Sequence, residues 1–493
     1  MSSLVPQVAP GYNISVASPF EPLVEPLTPA PDPADVFIRL ARRPHCLFLD
    51  SATTDSNLGR YSFIACDPVT ILRAAPGSPD VLTSLASWLV CHHTARLDDL
   101  PPWQGGPAGL FSYELGRHFE RLPFPRFDEF NVPIAALGLY DVVVAFDHRA
   151  EAAWIISQGL PETRPAARRR RAAARLNQFR EWLAEPAEPL PATKIQSPGA
   201  WAKAERWPSS FAPQYPVPGH PSLTSNFSET GFLHAVERVI DYIRAGDVFQ
   251  VNLAQRLLHP AADDPVSLYL RLRRCNPAPM AGFFDLGDFQ IASASPERFV
   301  QVRDRRVETR PIKGTRPRAD DPATDRAARD ELLASEKDRA ENVMIVDLLR
   351  NDLSRVCDPD SVRVNQLCRL ESFRHVHHLV SVVEGRLAES RGPLDLLAAS
   401  FPGGSVTGAP KVRAMEIIAE LEPTARGPYC GSLGYMGLDG SMDLSILIRT
   451  ITAGRGWWQA PVGGGIIAQS DPRREYEETW HKAEGLVQAM EEV

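Results

Sequence analysis

The chain has 493 residues, 44% hydrophobic and 23% charged, with a formal net charge of −8. That is the composition of a soluble globular protein with a large core, and its acidic balance offers no general attraction to nucleic acid or to an anionic membrane. Seven scattered cysteines without CxxC spacing argue against a disulfide framework or a structural zinc, and no apolar run approaches the roughly 18–20 residues of a membrane span, so a reducing cytoplasmic setting is expected.

In chain order, residues 1–35 are Pro-rich, weakly patterned and expected to be flexible. Residues 36–184 carry short β-branched and aromatic runs separated by Gly, Pro and Asp: CLFLDS at 46–51, GRYSFIACDP at 59–68, GGPAGLFSYELGR at 105–117 and LYDVVVAFD at 139–147. These read as strands that contribute to the same body as the rest of the chain. A helix follows over Arg164–Glu185. Its four consecutive arginines at 168–171 read as a solvated face, because no aromatic residues interleave with them.

Residues 185–227 are rich in Pro, Ser and Ala and read as a linker or long surface loop. The texture then changes. Ser228 is a helix N-cap, Phe232, Val236, Val239, Ile240 and Ile243 form one apolar face, and Gly246 ends the helix. Strand-like and helix-like segments alternate from there to residue 493.

The candidate chemistry lies in this last region. Glu475, Glu478 and Lys482 fall at i, i+3 and i+7 on one helix face behind the triple glycine 463–465. The two carboxylates suit a hard cation such as Mg²⁺, and a plain surface Glu–Lys pair is the other reading. Glu341 lies on the apolar stripe of Met344, Ile345 and Leu348, where an unpaired charge is costly, so a metal or an arginine should face it. Glu297 ends a strand-like run and is a candidate general acid. Lys313 stands among Arg310, Arg316 and Arg318, and like charges disfavour an ammonium, one route to a nucleophilic amine. Gly314 would let the backbone approach a ligand, and a basic surface turn is the alternative for the whole stretch. Ser405 and Thr407 lie in a Gly-rich turn ahead of a helix. His378 closes an HxHH cluster that lacks the second ligand group a zinc site needs.

Taken together, SPERF, GTRPR, DRAENVMIVDLLRND, HHLVS, PGGSVTGAPK, YCGSLGY and the GGGI…EYEET…K ending resemble the chorismate-utilising enzyme family over about residues 228–490. The resemblance implies an α+β fold, an antiparallel β-sandwich flanked by helices with the active site between the sheets, and makes 228–493 the chorismate-binding catalytic region. It also implies that Glu341, Glu475 and Glu478 bind Mg²⁺. Tyr429, Arg449, Gly463, Gly464 and Lys482 would hold the substrate's enolpyruvyl carboxylate. Glu297 would protonate the departing 4-hydroxyl, with Thr407 and His378 lining the pocket.

Two positions divide the family. Gln250 stands where the isochorismate and salicylate enzymes carry a water-activating lysine, which makes ammonia the expected incoming group. Lys313, in PIKGT, matches the covalent nucleophile of the aminodeoxychorismate branch, where anthranilate synthases usually read PIAGT. The implied activity is amination of chorismate at C4, in the route to p-aminobenzoate and folate. Anthranilate formation is the alternative, and a retired regulatory relative a more distant one. No glutaminase region is visible in the sequence, so a separate glutamine amidotransferase subunit should supply the ammonia. Ser51, Tyr61, Pro279 and Met280 lie where relatives form a tryptophan pocket, and FLDSA (48–52) departs from the LLES of feedback-inhibited members.

Overall fold

The computed structural model describes residues 20–53, 58–78, 80–187, 211–372 and 376–492. Two sheets of antiparallel strands dominate them. The larger has 13 strands. It runs in space from Leu23–Leu27 through Ala152–Ser157, Val142–Asp147, Tyr61–Ala65 and Leu47–Asp50 to Met280–Asp285. It continues through Phe289–Ser295, Thr450–Gly454, Trp457–Ile466 and Gln250–Pro260 to an edge at His220–Ser225 and Tyr215–Val217. The smaller sheet has 10 strands, with Ile312–Pro317 and Val376–Arg386 near one edge and Ser432–Met436, Gly106–Phe111, Ala135–Tyr140 and Thr70–Ala74 towards the other.

Strand alternation sorts side chains between two cores. In the larger sheet Leu47, Phe63, Val143, Ala145 and Phe284 point at the smaller sheet, where they meet Ala108, Leu110, Leu433 and Tyr435. Their neighbours Phe48, Ile64, Val142, Val144 and Phe283 point the other way. That outer face is covered by helices Pro33–Leu40, Pro165–Ala184, Pro265–Cys275 and Pro472–Glu491. Each fully buried Phe contributes about 1.5–3 kcal/mol of transfer free energy. Gly282 lets the sheets close up, since a side-chain carbon there would lie 2.9 Å from Leu433. The result is the sandwich expected from the resemblance, and both the N-terminal and the C-terminal regions supply strands to each sheet.

Three local expectations are corrected. Leu23–Leu27, inside the stretch read as flexible, is an edge strand paired with Ala153–Ser157. Its Pro26 is tolerated because an edge residue needs no outward hydrogen bond. The expected linker likewise contributes Tyr215–Val217 and His220–Ser225 to the opposite edge of the same sheet. Residues 1–19 and 188–210 of those two stretches lie outside the described residues. The arginine row is only partly solvated. Arg168 is buried, donates to the Gln158 carbonyl at 2.8 Å and to Thr94 Oγ1 at 3.0 Å, and stacks on Phe20. The helix Glu229–Arg244 follows its sequence signals: Ser228 Oγ accepts the Gly231 N–H at 3.0 Å, and Phe232, Val236, Val239 and Ile240 are buried. Among the described residues no helix is long and apolar enough to cross a membrane.

Candidate active site

The site is assembled from the ends of both sheets and two helices. Helix Glu336–Ser354, capped by Ser335, brings in Glu341 while Ile345 and Leu349 anchor it to the core. Helix Pro472–Glu491, capped by Asp471, brings in Glu475, Glu478 and Lys482. Ser470 Oγ donates to Glu475 at 2.6 Å. The Lys482 ammonium lies 2.6 Å from Glu478 and donates to the Gly463 carbonyl at 2.9 Å, joining helix to sheet. Arg449 donates to the Lys482 carbonyl at 2.6 Å. A side-chain carbon at Gly464 would stand 3.3 Å from Lys482 Nζ, 3.5 Å from Glu475 and 3.6 Å from Glu478, so the glycine keeps this charged corner open.

Opposite stands the pair expected to do the chemistry. Glu297 is buried, and burial pushes its carboxyl up to about 7 against the opposing pull of Lys313 and of hydrogen bonds from Ser405 and the Ile312 backbone. Lys313 Nζ donates to the Ser405 carbonyl at 3.1 Å, and Ser405 Oγ donates to Glu297 Oε1 at 2.9 Å. The arginines that flank Lys313 do not crowd it as free charges. Arg310 is paired with Glu371, Arg316 with Glu331 and Asp338, and Arg318 with Asp325. Gly314 is the bulge residue of its strand at φ +81°, and a side chain there would strike Leu332 and Asp338.

His378 joins this wall. Burial first, then the Arg449 charge and His377, lower its imidazole to about 4, against a raising hydrogen bond to the Gly314 backbone, so it is neutral near pH 7. Its Nδ1 lies 2.8 Å from Thr315 Oγ1. His377 is engaged separately with Asp325 and Ser372, and His375 lies outside the described residues, so the HxHH cluster forms no zinc site among those described.

Gln250 is fully buried with neither its amide nitrogen nor its amide oxygen partnered, and it lies against Gly465. A buried amide in that state is where a ligand or water completes the bonding. Thr407 Oγ1 donates to the Gly403 carbonyl at 3.1 Å, and Tyr429 is buried beside Arg426. Arg426 and Glu422, which sequence reading passed over, lie behind this floor. Their i,i+4 spacing was the available signal. Lys337 was also not singled out, and Ser405 was placed in its Gly-rich turn without a role.

Among the described residues no three carboxylate, histidine or cysteine side chains converge as a ready-made metal site. Lys337 intervenes: its ammonium is 3.9 Å from Glu341 and 3.7 Å from Glu475. Glu475 is nonetheless a neighbour of both other glutamates, since Glu341 is raised by burial and by Glu475, and Glu475 by burial and by Glu478. An all-oxygen set whose gap already holds a cation fits Mg²⁺ once Lys337 swings aside. Ser51, Tyr61, Pro279 and Met280 all line one cavity of about 420 Å³, where Ser51 Oγ donates to the Tyr61 carbonyl at 2.6 Å.

Residues 44–488 match the family model described as chorismate binding enzyme. Anthranilate synthase component 1 of Thermus thermophilus is 39% identical over 469 residues, covering 93% of this chain and 95% of that one. Aminodeoxychorismate synthase component 1 of Salmonella typhimurium is 38% identical over 485 residues, covering 95% and 98%. Among solved structures, anthranilate synthase component I of Streptococcus pneumoniae superposes with a TM-score of 0.73 at 32% identity, covering 88% of this chain and 93% of that one.

Proposed function

We propose that this chain, which belongs to the family of chorismate-binding enzymes, aminates chorismate at C4 as the first component of an aminodeoxychorismate synthase. The observation that carries this reading is the Lys313 amine, linked through Ser405 to the buried acid Glu297. In the proposed reaction the neutral amine adds at C2 of the ring and the double bond shifts. The C4–O bond breaks as Glu297 gives its proton to the oxygen, which leaves as water. Ammonia then adds at C4 and its surplus proton returns to Glu297, the double bond returns, and the C2–N bond breaks to free Lys313 as the neutral amine. Chorismate and ammonia thus give 4-amino-4-deoxychorismate and water.

Gln250 has no basic group with which to activate water, which favours ammonia as the incoming nucleophile. Arg449, Tyr429, Lys482 and the Gly463–Gly464 backbone hold the enolpyruvyl carboxylate, and Thr407 and neutral His378 border the ring. A Mg²⁺ ion held by Glu341, Glu475 and Glu478 would supply the positive charge that the ring carboxylate needs. The ammonia comes from a separate glutamine amidotransferase subunit, in keeping with relatives that are themselves named component 1. The second reading is anthranilate formation, favoured by a relative of that name at 39% identity.

Product analysis separates them. With chorismate, Mg²⁺ and an ammonium salt, the wild type should give aminodeoxychorismate and the Lys313→Ala variant little or none. Anthranilate from the wild type would overturn this reading in favour of the second.

A further inference from the structure

Ser405 is the only residue that the hydrogen bonds above connect to both Glu297 and Lys313, and it does so with two different groups. Its side chain serves Glu297 and its main chain serves Lys313. It is 5% exposed. It sits on the tight turn Gly404–Val406, which is pressed from one side by Leu348, since a side-chain carbon at Gly404 would lie 2.5 Å from that residue. From the other side Arg426 takes the Val406 carbonyl at 3.0 Å. The turn is therefore held on both flanks, and Ser405 has little room to reorient.

A serine hydroxyl has one proton to give. In the arrangement seen that proton is directed at Oε1 of Glu297, which leaves Oε2, free of the serine, to carry the acid's own proton. The geometry points to Ser405 as the positioning residue that selects Oε2 of Glu297 as the proton-delivering oxygen while its carbonyl holds the Lys313 amine. This rests on the reading of Glu297 as acid and Lys313 as nucleophile. One residue sets the spacing of the two groups that must act together, when the amine adds at C2 and the proton moves from Oε2 to the departing oxygen. The ionisable groups facing Glu297 are Lys313 from its strand and Cys430 from the segment after Tyr429. Neither replaces the Ser405 bond, because the first offers its proton to the Ser405 carbonyl and the second is a thiol that burial keeps protonated.

The test compares the wild type with Ser405→Ala and Ser405→Thr. The hydroxyl stabilises the carboxylate form, so its removal should move the basic limb of the kcat/KM profile upward by about one pH unit, and threonine should restore it. Peak turnover should fall by roughly tenfold or more in Ser405→Ala. The protonated-carboxyl infrared band, identified by its loss in Glu297→Gln, should titrate with the same upward displacement, and this needs no turnover. An Ala variant whose rate falls while limb and band stay in place would reduce Ser405 to packing and overturn the assignment. If instead the wild-type product is anthranilate, the functional reading fails, and the infrared titration still decides whether Ser405 governs the Glu297 proton.

Discussion

The guanidinium of Arg426 is gripped by both carboxylate oxygens of Glu422, at 2.6 and 2.9 Å, almost out of reach of solvent. From that pair Arg426 also reaches the carbonyls of Val406 and Asn252, at 3.0 and 2.7 Å, while Glu422 accepts the Ala254 N–H at 2.9 Å. One ion pair thus ties the turn of Ser405 and Thr407 to the strand of Gln250. In Glu422→Gln the arginine remains buried without its counter-charge, which costs about 3–5 kcal/mol. Urea denaturation should show that loss, with turnover reduced in the fraction that stays folded.

Glu297 makes stability and chemistry oppose each other. Its carboxyl is raised from 4.5 to about 7, chiefly by burial. Folding therefore bears a cost that is absent below about pH 4.5, grows between the two values and is complete above about 7, where it reaches about 3 kcal/mol. Glu297→Gln should be more stable than the wild type at pH 8 and lose that advantage at pH 4.5, while turnover collapses. Equal stability at both pH values would show that the wild-type carboxyl is not raised.

Lys337 competes for the gap that the proposed Mg²⁺ would enter. A half-exposed ion pair is worth about 0–1 kcal/mol, so Lys337→Ala should tighten Mg²⁺ binding by up to about fivefold. Calorimetric titration of the ligand-free protein reads this directly. Unchanged or weaker affinity would place the metal elsewhere, and no heat from either protein would remove it from the scheme.

The cavity around Ser51, Tyr61, Pro279 and Met280 makes a separate prediction. Arg60, Asp50 and Glu308 also line it, which gives both signs of charge for an amino-acid ligand. Saturating tryptophan should raise the melting temperature, and Met280→Trp, which fills the space, should abolish the rise. Turnover should be unaffected, in keeping with the FLDSA sequence.

The larger elements were readable because hydrophobic period and capping residues carry them. Ser228, Phe232 and Val236 announced their helix, and Leu47, Phe63 and Val143 their strands. Edge strands were missed because prolines such as Pro26 and Pro216 break the local pattern, and only a sheet edge tolerates them. Arg168 was misread because a sequence does not show which arginine of a row will meet the Gln158 carbonyl. Within the site, Glu297, Lys313 and the three glutamates stood out by charge and spacing. Arg426 did not, and Ser405 was legible only as part of its Gly-rich turn, since their roles depend on a backbone carbonyl and a buried partner brought in from distant segments.

Both sheets are stitched from strands made far apart in synthesis. Leu47–Asp50 lies against Met280–Asp285, and Gly106–Phe111 lies against Ser432–Met436. At ordinary elongation speeds the early strands leave the ribosome on the order of tens of seconds before these partners exist. Their apolar faces and unpaired edges must wait exposed for that interval. The candidate active-site corner, which needs helix Pro472–Glu491, is complete only after Glu491 has been released. A truncated transcript or stalled ribosome would therefore yield an aggregation-prone fragment rather than a weaker enzyme, which makes chaperone capture a standing requirement of this architecture.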